Sequence, residues 1–228
     1  MYTYLIIFIG IAVVSYLVQA NLQRKFKKYA QVPTSNGMSG REVAEKMLRD
    51  NGIYDVTVTC TPGHLTDHYN PTDKTVNLSE SVYNERSIAA AAVAAHECGH
   101  AVQHAVAYGP LTLRSALVPV VSFASQWVQW ILLAGILLVE TMPSLLLVGI
   151  GLFAMTTLFS FITLPVEIDA SRRATAWLSS AGITTYGNHS MAVDALRSAA
   201  YTYVVAALSS LATLVYYVMI FMGSQSDE

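Results

Sequence analysis

Four apolar segments, each close to the length a helix needs to cross a bilayer, decide what this chain can fold into. They run roughly over 3–20, 117–139, 143–164 and 201–222. The rest of the chain does not offset them: 54% of the residues are hydrophobic, 12% are charged, and the mean hydropathy is +0.44. Soluble globular chains carry about a quarter charged residues, so the sequence reads as a mainly α membrane protein with about four transmembrane helices. The first segment has no basic residue ahead of it and no small-residue cleavage site after it, which makes it an anchor rather than a signal peptide.

Orientation follows from where Lys and Arg fall, not from the net charge of -2. All 13 basic residues lie between the first and second apolar segments or between the third and fourth. The Glu140-Thr141-Met142 link and the tail ending Asp227-Glu228 carry only acidic charge. Both termini are therefore expected outside, with the intervening polar segments in the cytoplasm. The domain reading is a 1–22 anchor, a 23–115 cytoplasmic domain, a 116–164 transmembrane hairpin, a 165–200 cytoplasmic helical segment, a 201–223 transmembrane helix and a 224–228 tail. Two cysteines, Cys60 and Cys98, form no disulfide framework and suit a reducing compartment. The basic run Arg24-Lys25-Phe26-Lys27-Lys28 is expected at anionic lipid of the inner leaflet, and no nucleic-acid partner is expected.

Within the 23–115 segment, a helix is expected from Gly40 to about Asn51, capped near Ser39, with Val43, Met47 and Leu48 on its apolar face. Residues 55–59 and 74–79 alternate like strands, separated by the turn-rich Asn70-Pro71-Thr72-Asp73, and predict a small hairpin-like sheet. Such a sheet either packs on the helix that follows or offers an edge to an extended peptide. No internal repeat interrupts the pattern.

The helix that follows carries His96-Glu97-Cys98-Gly99-His100. Alanine-rich sequence from Ser87 to Ala107 has an N-cap at Ser87 and is expected to stop at Gly109-Pro110. Positions i and i+4 lie one above the other on a helix, so both imidazoles can reach one metal ion. Glu97, about 100° round the helix from His96, is placed to act on a water as a base instead of as a ligand. Two helical histidines flanking a glutamate are also common on ordinary exposed faces, but here the neighbours are small and apolar. Burying three such groups without a partner would cost several kcal/mol. Cys98 reads as a small buried side chain.

A catalytic zinc takes three protein ligands and keeps one position open. His104 continues the same helix, where three ligands in line cannot form three corners of a tetrahedron, so it reads as a neighbouring polar residue. After the third apolar segment the chain reads Leu164-Pro165-Val166-Glu167-Ile168-Asp169-Ala170-Ser171-Arg172-Arg173. Glu167 and Asp169 either pair with Arg172 and Arg173 or one of them binds metal, since acids beside hydrocarbon need a partner. Being on the motif's side of the membrane, Glu167 is the candidate third ligand, giving His96, His100 and Glu167 around Zn2+.

Several stretches carry a family resemblance: Lys27-Lys28-Tyr29, Leu65-Thr66-Asp67-His68-Tyr69, Val76-Asn77-Leu78-Ser79-Glu80, Ser87 to Gln103, Leu113 to Val120 and Leu164 to Ala174. Through them the chain resembles the YugP-like bacterial membrane zinc metallopeptidases, the neutral zinc metallopeptidase type 2 group. The resemblance implies a zinc-dependent peptidase of the bacterial cell membrane, with the gluzincin roles carried by His96, Glu97, His100 and Glu167. A more distant likeness is to HtpX-type membrane gluzincins, in which an aspartate four residues after the ligand glutamate supports the site. This chain has Ser171 there, and Asp169 points across the helix.

The function expected is hydrolysis of a peptide bond in a cytoplasmic or juxtamembrane protein segment, with Glu97 as the base. His68, Tyr69 or Tyr201 are candidates to steady the oxyanion. The competing reading is a non-catalytic membrane adaptor or scaffold with a structural zinc. Protein or peptide substrate and membrane lipid are the expected partners, and self-association or partner membrane proteins are compatible with either reading. Metal transport is disfavoured, because the four apolar segments hold no ionisable residue at mid-depth.

Overall fold

The computed structural model describes residues 2–226, so the acidic pair Asp227-Glu228 lies outside the described residues. In chain order the elements are α1 (Tyr2–Tyr29), α2 (Gly40–Asp50), β1 (Thr57–Thr61), β2 (His68–Asn70), β3 (Thr75–Ser79), α3 (Glu80–Tyr83), α4 (Ile88–Ala105), α5 (Gly109–Leu137), α6 (Pro143–Ser180) and α7 (His189–Ser226). The chain divides into two compact units.

One unit draws on Thr112–Leu164 together with the start of α1 and the end of α7. Among the described residues, three helices are long and apolar enough to cross a membrane: Gly109–Leu137, Pro143–Ser180 and His189–Ser224. The expected first span, 3–20, falls in α1, where some side chains lie outside the described residues. Val128, Leu132, Leu146 and Ile150 form this unit's small buried core. Gly135 lets α5 and α6 close on each other, for a Cβ there would stand 2.6 Å from Cα of Leu146. Phe123, Trp127 and Trp130 on α5, and Leu147, Val148 and Leu158 on α6, face outward. An apolar exterior of this kind suits lipid and not water.

The other unit comprises Leu17–Leu111 and Pro165–Thr202. Ser39 begins α2 with a full capping box: its side chain accepts from Glu42 N–H while the Glu42 carboxylate accepts from Ser39 N–H. Val43, Ala44, Met47 and Leu48 are the buried face of α2, which packs on α4. The core continues through Val76, Leu78, Ile88 and the alanines of α4 to Ala174, Leu178, Ile183, Ala192 and Leu196. Residues more than eighty positions apart therefore share one apolar cluster. Small side chains along α4 are what let neighbours approach it from several directions.

Two local expectations are corrected. The sheet is not a simple hairpin of the two predicted strands. Its order is β1-β3-β2, with β1 parallel to β3 and β2 antiparallel to it. The turn at Asn70-Pro71-Thr72-Asp73 does make a hairpin, but it joins β3 to the three-residue β2, while the long loop after β1 carries the chain across to the far edge. Asp67 fixes that loop by accepting from Ser79 N–H (2.7 Å) and Ser79 Oγ (3.1 Å).

The motif helix also ends earlier than Gly109-Pro110. Val106 is its C-cap, Ala107 takes a left-handed φ of 50°, and Tyr108 N–H reaches back to the Gln103 carbonyl at 2.9 Å. Gly109-Pro110 instead opens α5, because proline is tolerated in the first helical turn where its missing N–H has no partner to lose.

Candidate metal centre

Ser87 starts α4 by accepting from Ala90 N–H at 3.2 Å, and the helix then runs unbroken through the motif. His96 and His100 stack one turn apart, their ring centroids separated by 4.8 Å at 79°. Opposite them, α6 buries Val166, Ala170, Ala174 and Leu178, a row at four-residue spacing. The adjoining row, Glu167 and Ser171, turns towards His96. Gly99 is what lets the two helices meet: a Cβ there would stand 2.7 Å from the Ala170 carbonyl oxygen.

Glu167 Oε2 lies 3.2 Å from His96 Nε2 and 3.6 Å from His100 Nε2. One potential ligand atom from each of the three residues falls within 4.8 Å of the others. Ligands held 2.0–2.1 Å from a tetrahedral zinc stand about 3.3–3.5 Å apart, so the two nitrogen–oxygen separations fit such an ion. The donor set, two imidazoles and a carboxylate, is one that zinc accepts.

Electrostatics agree with that grouping. Burial alone would raise the pKa of Glu167, yet hydrogen bonds and charge from His100 and His96 hold its carboxyl well below the usual carboxylate range. Burial alone would lower that of His100, and the Glu167 hydrogen bond with the charges of Glu97 and Glu167 instead raises it above the ordinary imidazole value. Burial, then the charge of Glu97, pushes the Cys98 thiol well up. Its Sγ donates to the Ala44 carbonyl at 3.5 Å, the position of a packed side chain and not of a thiolate ligand. Glu97 itself is 8% exposed.

The two acids after Pro165 divide the alternatives between them. Glu167 goes to the histidines, whereas Asp169 pairs with Arg172 (3.3 Å) and Arg173 (2.5 Å). Burial works to raise the Asp169 pKa, but Arg173 and Gln103 lower it overall. Asp169 is nevertheless not directed away from the centre, as its two-residue offset suggested. It accepts from Gln103 Nε2 at 3.0 Å, and Gln103 Oε1 lies 3.0 Å from His100 Nδ1. Ser171 Oγ lies 3.1 Å from His96 Nδ1. Gln103 went unremarked in the sequence, although at three residues from His100 and seven from His96 it shares their helical face.

The other two histidine candidates, His68 and His104, are not members of that group. His104 Nδ1 is 2.7 Å from the Tyr69 hydroxyl. His68 Nδ1 donates to the Thr66 carbonyl at 2.8 Å, and Tyr201 is half exposed.

Comparison with known proteins identifies the lineage. Residues 4–222 match the family described as "Putative neutral zinc metallopeptidase". The chain belongs to this family. It is 44% identical over 228 residues to the "Putative membrane protease YugP" of Bacillus subtilis (strain 168), a match covering 98% of this chain and all of the relative. No solved structure matches. Zinc is the metal that the family description names, and His96, His100 and Glu167 make the metal-capable group among the described residues.

Proposed function

We propose that this chain is an integral membrane zinc endopeptidase that hydrolyses a peptide bond in a cytoplasmic or juxtamembrane segment of a protein. The observation that carries the reading is the approach of Glu167 to both motif histidines across 71 and 67 residues of sequence. Two imidazoles from α4 and a carboxylate from α6 would hold the zinc. When bound, the ion supplies Lewis acidity towards the scissile carbonyl and the attacking water.

The chain's own residues supply the proton traffic. Glu97 lies on the ligand-bearing helix but is not one of the three clustered groups, so its carboxylate is available as a base. It takes a proton from the attacking water onto a carboxylate oxygen, then returns it to the departing amine nitrogen. The small, apolar surroundings of α4 limit stray water, which strengthens each charge–charge interaction at the site. The run of Lys and Arg confined to 24–114 and 172–197 supports a cytoplasmic location for the centre in a bacterial cell membrane.

The test compares wild type with Glu97→Gln in native membranes. Zinc content should be unchanged while cleavage falls by at least about 100-fold, the lower bound for losing a general base. Cleavage surviving in zinc-loaded Glu97→Gln, freed of other proteases, would sink the role given to Glu97, and a wild type that holds zinc but cleaves nothing would favour a structural zinc in a scaffold.

A further inference from the structure

Gln103 is fully buried in the core and every hydrogen-bonding atom of its amide is committed. Its Nε2 donates to the Val166 carbonyl oxygen (2.8 Å) and to Asp169 Oδ2 (3.0 Å), while Oε1 faces His100 Nδ1 at 3.0 Å. A carbonyl and an ionised carboxylate can only accept, so the NH2 end of the amide must point towards α6. That leaves Oε1 towards the ring, and an oxygen there requires His100 Nδ1 to carry the proton. The second nitrogen, Nε2, faces Glu167 and is the one left to offer a lone pair to a metal ion once that ion displaces the proton it shares with the carboxylate. Asp169 is itself fixed, since Arg173 Nε donates to it at 2.5 Å and the Arg173 guanidinium lies over the Tyr108 ring, 5.8 Å from its centroid.

We propose that Gln103 is the positioning residue of the metal centre: anchored by Asp169 and the Val166 carbonyl, it sets the tautomer and ring angle of His100 so that Nε2 is presented for coordination. The proposal rests on the zinc reading above and adds to it a residue that need not touch zinc or substrate. It also explains why the ligand glutamate and its neighbour Asp169 have opposite tasks two residues apart. Glu167 meets the histidines directly, and Asp169 acts through the amide. The two histidines are steadied unequally. His96 has a single hydroxyl, Ser171, whereas His100 has a buried amide tied down at two further points.

The measurement is zinc affinity of the purified full-length protein, by chelator competition, together with the visible absorption bands of the cobalt-substituted form. Gln103→Met keeps the volume and removes the hydrogen bonds. It should bind zinc roughly 10- to 100-fold more weakly, the range for losing such a supporting partner, and should alter the cobalt bands. Met47→Leu, an equally buried change in the same unit, should leave both readouts at wild-type values. Wild-type affinity in folded Gln103→Met, or an equal loss in Met47→Leu, overturns the proposal. Should Gln103→Met not fold, Asp169→Asn decides: a loss of a few-fold or more upholds it, and unchanged affinity overturns it. Failure of the wild type to bind zinc, or full binding by Glu167→Gln, would instead strike the underlying reading.

Discussion

At the scale of single residues, the centre is built from pairs. Glu167 and Ser171, one turn apart on α6, meet the two nitrogens of one imidazole, Nε2 and Nδ1 of His96. Removing each should have different consequences. Glu167→Gln deletes a charged donor and should abolish tight zinc binding, whereas Ser171→Ala deletes one hydrogen bond and should weaken it by about 10-fold, the low end for a supporting group. Titration of both variants with zinc checks the ranking, and equal losses would contradict it. This level was largely readable beforehand, because the i, i+4 histidines and an acid at a helical position obey a fixed geometry. The sequence named Glu167 as the partner of the histidines, but its spacing alone left open that both acids pair with Arg172 and Arg173. Glu167 and Asp169 have the same charge and nearly the same position, and only the packing of α6 on α4 separates them.

At the scale of elements, the contact between α4 and α6 governs everything the residues do. At Gly99 against Ala170 the backbones approach so closely that no side chain fits between them. Gly99→Ala should force the helices apart, destabilise the protein by about 1–3 kcal/mol as overpacking does, and lower zinc affinity as well. Thermal melting and chelator competition on the same sample test this, and a variant equal to wild type in both would refute it. The sequence foretold helices at α2 and α4, with their caps at Ser39 and Ser87, because capping chemistry is local. The sheet was harder. Alternation at 55–59 and 74–79 identifies strands but says nothing of partner or direction, and the three residues of β2 are too few for any period to show.

Taken whole, the unit of Leu17–Leu111 and Pro165–Thr202 ties the end of α1 to the start of α7. Lys25 and Tyr29 of α1 both meet Asp194 of α7, at 2.7 and 2.6 Å. Hydrogen bonds from Lys25 and Tyr29 hold the Asp194 pKa below its ordinary value, and the Asp194 hydrogen bond raises that of the Tyr29 phenol. The carboxylate's contribution to stability is therefore present above its unfolded pKa of about 3.9 and is lost as pH falls through the lower folded value. Tyr29 contributes below about pH 10 and loses that contribution as pH rises through its higher folded value. Asp194→Asn should melt lower than wild type at neutral pH, with the difference shrinking towards pH 2. A gap that persists in acid would show that the link is not ionic. None of this was evident from the sequence, where Lys25 reads as one more member of a basic run and Asp194 as one acid in an alanine-rich helix.

The order of strands in the small sheet bears on how the protein is made. The middle strand, β3, is the last of the three to leave the ribosome, and the edges β1 and β2 have no sheet partner until it does. Translation delivers the motif helix only a few residues later, and the carboxylate that completes the trio more than sixty residues after that. A nascent chain thus carries its paired imidazoles well before it has the carboxylate to close them with.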